Sequence, residues 1–212
     1  MYPHSCVSEL KITVEELPTP RVTALLAAVS TKSTSMVQLL VQEGAEINRP
    51  ALGRIRRTPL QRAAEIGSFE MVQLCHNLGA DINAPPARIG GGTALQLAAI
   101  GGFNGIVCYL LSHKAEVDAP SAKLDGMTAL EGAAAHGRLA TVSILLQAGA
   151  GSGGKDVAQF ERAIAFAKEN GSYPISRMLE AYLRSPAQHN SLGLPDLPDD
   201  FEDLINLHAY DS

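Results

Sequence analysis

Apolar and polar positions along this chain recur as a fixed phrase. Leu60, Ala63 and Ala64 are matched by Leu95, Ala98 and Ala99 and again by Leu130, Ala133 and Ala134, a spacing that predicts a short helix with one packed face. A second aliphatic run follows each phrase, at Met71-Val72, Ile106-Val107 and Val142 with Ile144. Leu39-Leu40, Leu110-Leu111 and Leu145-Leu146 supply further apolar pairs. Each unit therefore reads as two short helices joined by a tight turn. No single unit can bury its apolar face alone, so the units are expected to stack in a row.

The phrase opens on a threonine at Thr23, Thr58, Thr93 and Thr128, every 35 residues. Threonine is a good helix N-cap, and Pro59 suits the first helical position, where a missing N–H costs nothing. Nine residues after the threonine stands Gly67, Gly102 or Gly137, and a Gly-Ala pair closes the unit at Gly44-Ala45, Gly79-Ala80 and Gly149-Ala150. Lys32 replaces the mid-turn glycine of the first unit and Lys114 the closing glycine of the third, at about 1 kcal/mol each if the backbone is left-handed there.

Thr58-Pro59-Leu60-Gln61-Arg62-Ala63-Ala64 and its counterparts resemble the ankyrin signature T-P-L-H-x-A. The resemblance implies an all-α class, an ankyrin-repeat α-solenoid whose helix pairs are separated by fingers, either short β-hairpins or extended loops. Units start near 23, 58, 93 and 128. A degenerate fifth starts near 162 and runs through Ala167, Gly171, Ile175, Met178 and Leu179. The repeat domain is thus expected over 23–184, preceded by a divergent edge or half-repeat over 1–22. A Pro-containing linker and acidic amphipathic tail, disordered or docked, follows over 185–212.

Composition adds a division of charge. The net charge of −5 hides a repeat region, residues 1–184, that holds all 17 Lys and Arg against 16 Asp and Glu. The remaining 28 residues have no base and six acids: Asp196, Asp199, Asp200, Glu202, Asp203 and Asp211. A nearly neutral stack lacks the cationic stripe of a nucleic-acid reader. The chain has no apolar run long enough for a membrane span and no signal-peptide pattern at its start. Three cysteines, Cys6, Cys75 and Cys108, give no disulfide framework. An intracellular protein, cytoplasmic or nuclear, is expected.

Partner binding is expected at the fingers Pro50–Arg57, Pro85–Gly92 and Pro120–Met127. Each carries a base followed by an aliphatic residue: Arg54-Ile55, Arg88-Ile89 and Lys123-Leu124. At repeat spacing these form a ladder of cation and hydrocarbon. The long finger resembles the ankyrin variety of filamentous fungi. In the ankyrin family binding also uses the exposed end of each first helix, which here implies Ser30, Thr31, Glu65, Ile66, Ile100, Gly101, Ala135 and His136. Ile66 and Ile100 are unusual for a solvated concave face and point to a protein interface. Scattered exposed aliphatics are also ordinary, and a basic stem often lies over its apolar neighbour. In the tail, Phe201, Leu204 and Ile205 share helical spacing against acids, so this segment is a candidate for docking on its own stack or on a second copy.

Gly149-Ala150-Gly151-Ser152-Gly153-Gly154-Lys155-Asp156 imitates a phosphate-binding loop, but Asp156 stands where a hydroxyl should hold magnesium and the stretch follows a helix. The histidines and cysteines show no metal-ligand spacing. The sequence specifies no cofactor, metal site or catalytic residue and does not read as an enzyme. The leading reading is a protein-protein interaction module or adaptor. The alternative is an ankyrin scaffold with a small-molecule or catalytic site on the concave face, near Gln61, Glu65, Gln96, Glu131 and His136.

Overall fold

The computed structural model of the protein describes residues 23–51, 56–151 and 157–184. Ten helices run through them: α1 Ala24–Ser30, α2 Thr34–Gln42, α3 Pro59–Glu65, α4 Phe69–Asn77, α5 Ala94–Gly101, α6 Asn104–Ser112, α7 Ala129–Ala135, α8 Leu139–Gln147, α9 Val157–Glu169 and α10 Tyr173–Arg184. They pair as α1/α2 to α9/α10, and both the odd and the even helices pack on their neighbours in sequence. This is a helical-repeat solenoid.

The four threonines start the odd helices as N-caps. Thr23 Oγ1 accepts from Leu26 N, and Thr58, Thr93 and Thr128 accept from the amides of Gln61, Gln96 and Glu131. In the last three, the Gln or Glu side chain returns to the threonine amide and completes a capping box. The paired alanines Ala63-Ala64, Ala98-Ala99 and Ala133-Ala134 are fully buried, so neighbouring helices approach closely. Met71, Val72, Ile106, Val107, Leu110, Val142 and Leu145 fill the layer beneath. Lys32 and Lys114 do adopt left-handed backbone, with φ of 55° and 65°, as their glycine-equivalent places require.

A polar ladder ties unit to unit. Asn48 Nδ2 donates to Gly79 O at 2.8 Å while its Oδ1 accepts from Asp81 N at 2.8 Å. Asn83 repeats this with Lys114 O and Glu116 N at 3.0 and 2.9 Å. Asp118, next in register, accepts from Gly151 N with both carboxylate oxygens at 3.1 and 3.0 Å.

The two ends differ. At the start, Met36 is 46% exposed and Leu39 49%, although their equivalents Met71, Ile106, Tyr109 and Ile144 are buried against a preceding unit. At the far end α9 and α10 cover α7 and α8. Ala163, Ala167, Ile175 and Leu179 face inward, while Glu161, Lys168 and Glu169 face outward.

Candidate functional site

The finger loops are built to stand out from the helices. Gly91 and Gly126 sit where each loop closes on itself, and a Cβ at either would run into the backbone of Ala87 or Ala122. At the tips, Gly90 takes φ 58° and its counterpart Asp125 φ 56°. The tips pair: Ile89 and Leu124 form a parallel β-bridge, with Leu124 N donating to Arg88 O at 3.1 Å and Gly90 N to Leu124 O at 2.9 Å. Backbone pairing thereby sets the Arg88-Ile89 and Lys123-Leu124 steps side by side. Ile89 is 48% exposed and Leu124 50%, and Arg88 and Lys123 are exposed beside them. The first step, Arg54 and Ile55, lies outside the described residues, as do Phe201, Leu204 and Ile205 of the tail.

The concave face is organised differently, because its charges are consumed internally. Glu65 Oε1 accepts from Arg57 Nε and Nη2 at 3.2 and 2.8 Å, and Oε2 accepts from Arg62 Nη1 at 2.8 Å. Arg62 Nε continues to Ser30 Oγ at 2.9 Å, and Arg57 Nη1 reaches Gly90 O at 3.1 Å. This chain links the first and second units, from Ser30 to the tip of the second finger. Partial burial alone would raise the Glu65 carboxyl, but hydrogen bonds and charge from Arg62 and Arg57 outweigh it and hold the group below its usual range. Arg56, Arg88 and Lys123, by contrast, are in no ion pair among the described residues.

The expectation that Ile66 and Ile100 are exposed interface points is corrected: both are half-buried. Ile66 packs against the core, and Ile100 fills the space over Gly132, where a Cβ would collide with it. Gly132 leaves the space that draws Ile100 inward, while Ile66 rests on the core beside it. His136 is exposed, and its Nδ1 lies 2.9 Å from Gly132 O.

Gln61 and Gln96 are buried clasps. Gln61 Nε2 donates to Ala84 O and Pro85 O at 2.9 and 3.0 Å, and Gln96 Nε2 to Ala119 O and Pro120 O at 2.9 and 3.2 Å. Each holds the base of the finger that follows it. Glu131, in the same place, instead accepts from Arg162 Nε at 2.6 Å with one oxygen and from Thr128 N at 2.9 Å with the other. Glu131 and His136 bond to separate partners, Glu131 to Thr128 and Arg162 and His136 to Gly132 O.

One cluster has no counterpart in the sequence reading. On the even-helix side, His76 Nδ1 lies 2.8 Å from Tyr109 Oη, and the His76 and His113 rings meet edge-on with centroids 4.6 Å apart. Burial, and behind it the charge of His113, lowers the His76 pKa. The 33-residue step from His76 to Tyr109 was the available signal, visible only once the period is known. Nearby, burial pushes the Cys75 thiol up to about 12 and also raises Cys108, as expected of two inert core thiols.

A family model described as ankyrin repeats (3 copies) matches residues 4–86 and 85–156. No curated protein matches the chain. No described helix is long and apolar enough to cross a membrane.

Proposed function

The chain belongs to the ankyrin-repeat family, and from that premise we propose that it is an adaptor whose protein or peptide partner seats on the finger row and the adjoining concave face. Ankyrin repeats are generally protein-protein interaction modules. The observation that carries the choice of surface is the Ile89–Leu124 bridge, which lines up two half-exposed aliphatic side chains beside exposed Arg88 and Lys123. Such a strip suits a partner segment that alternates apolar and acidic residues, with the apolar contacts giving most of the affinity. Arg57 and Arg62 serve as the rigid wall behind it, since Glu65 already holds them.

The same geometry weighs against the small-molecule alternative at Glu131 and His136. Glu131 is buried with both oxygens occupied by Thr128 and Arg162. The test is affinity capture from the source cell's extract with the full chain and with Arg88→Glu/Lys123→Glu. A partner held by the first and lost by the second, with circular dichroism unchanged, supports the reading. Equal recovery by both removes the finger row from it.

A further inference from the structure

We infer that the finger row is also the seat of the chain's own acidic segment, residues 199–207, so that the tail competes with the partner for Ile89 and Leu124. This rests on the finger reading above and adds an internal ligand to it.

Three observations converge. The first is chemistry: Asp199-Asp200-Phe201-Glu202-Asp203-Leu204-Ile205-Asn206-Leu207 combines acids with apolar residues, the complement of exposed Arg88, Lys123 and Arg56 around two half-exposed aliphatics. The second is charge accounting. Glu65, Glu131 and Glu180 all engage Arg or Lys within the stack, yet Arg56, Arg88 and Lys123 pair with none of the described acids. The only base-free stretch of the sequence rich in acids is the tail.

The third is reach and an open edge. Phe201 follows Arg184, the end of α10, by 17 residues, which extended span up to roughly 55 Å. The third finger is two helix spacings of about 10 Å back along the stack. Leu124 spends its own N–H and C=O on the second finger, leaving the other side of the tip facing the C-terminal end. There only six residues lie between Ala150 and Val157, against the twelve of the second connection from Asp81 to Gly92. Among the described residues Leu124 is the last finger tip, on the C-terminal side of the row. A tethered segment acts at high effective concentration, so weak contacts suffice for an internal competitor. Exposed ion pairs contribute little, so Phe201, Leu204 and Ile205 are the anchors and the acids set orientation.

The test is hydrogen exchange by mass spectrometry on the full chain, comparing wild type with Phe201→Ala/Leu204→Ala/Ile205→Ala. Expected is an exchange rate at least about threefold faster in 86–91 and 121–126 of the variant, with α3 to α8 unchanged. Arg88→Glu/Lys123→Glu in the full chain should deprotect 199–207 in return. Identical finger exchange in wild type and the triple variant overturns the inference, as does protection that vanishes on about tenfold dilution, which would mark a contact between copies. The partner is absent from these measurements. Unchanged exchange with partner capture still dependent on Arg88 and Lys123 would therefore sink the tail's role and spare the finger reading. Lost capture dependence with tail protection intact would do the reverse.

Discussion

The second and third units are held by amides, and the fourth by carboxylates. Asn48 and Asn83 each give and take a hydrogen bond across a unit boundary, whereas Asp118 only accepts from Gly151. Likewise Gln61 and Gln96 donate to two carbonyls of the finger that follows, while Glu131 turns to Arg162. The cause lies in the loop. The carbonyl partners stand 23 and 24 residues after each glutamine, whereas after Glu131 the next helix already starts at Val157 and brings Arg162 to the carboxylate. A buried amide there would carry N–H groups in need of acceptors; a carboxylate needs only donors, and α9 brings one. The side-chain type at this place thus matches the partner it meets, carbonyls for the amides and a guanidinium for the carboxylate.

That comparison can be broken most severely by Gln96→Glu. It would press an acceptor-only carboxylate against Ala119 O and Pro120 O in a buried site, at a cost of roughly 3 kcal/mol or more at neutral pH. Urea unfolding should show this loss. It should also show partial recovery on acidification, because a protonated carboxyl can donate and its folded pKa stands above the unfolded one. Gln96→Ala, which drops the clasp and the capping box without adding charge, should cost about 1–2 kcal/mol by the same measurement.

The opposite exchange, Glu131→Gln, should cost only about 1 kcal/mol, since Thr128 N keeps an acceptor and Arg162, more than half exposed, can turn to water. Equal losses from Gln96→Glu and Glu131→Gln would refute the account of finger-dependent clasps. The smallest effect is on the even-helix side, where no clasp exists. His76 binds its proton less tightly folded than unfolded, so its contribution is full above about pH 6.5 and declines as the pH falls below that value. His76→Phe should flatten stability between about pH 7 and 5 by a fraction of a kcal/mol relative to wild type, read from paired urea titrations.

The repeat was legible because its determinants are local. Thr58, Thr93 and Thr128 cap the helix that begins beside them, and the alanine pairs need only a small side chain at a helix contact, so period and residue type suffice. The left-handed places of Lys32 and Lys114 followed from register alone. Asp125 was missed, because its left-handed backbone shows only when it is aligned with Gly90 across the finger tips. Ile66 and Ile100 lie deeper than expected for a different reason: exposure depends on what neighbouring units offer, the core surface beside Ile66 and a hollow over Gly132 for Ile100. Arg162 was visible as a departure from threonine, but its pairing with Glu131 depends on α9 starting at Val157. The network from Ser30 to Gly90 joins two units through long side chains, whose direction no period encodes.

The bridge between Ile89 and Leu124 has a mechanical consequence. Two hydrogen bonds at the tips of neighbouring fingers act far from the helices that carry them, as a strut between the ends of two levers. Any flexing that spreads the second and third units apart must stretch those bonds first. Among the described residues the fourth unit and the α9/α10 pair are joined to their neighbours through helix packing and side-chain contacts. The pairing therefore braces the stack where the Arg88-Ile89 and Lys123-Leu124 steps are displayed, and an approaching ligand meets a surface whose curvature is already set.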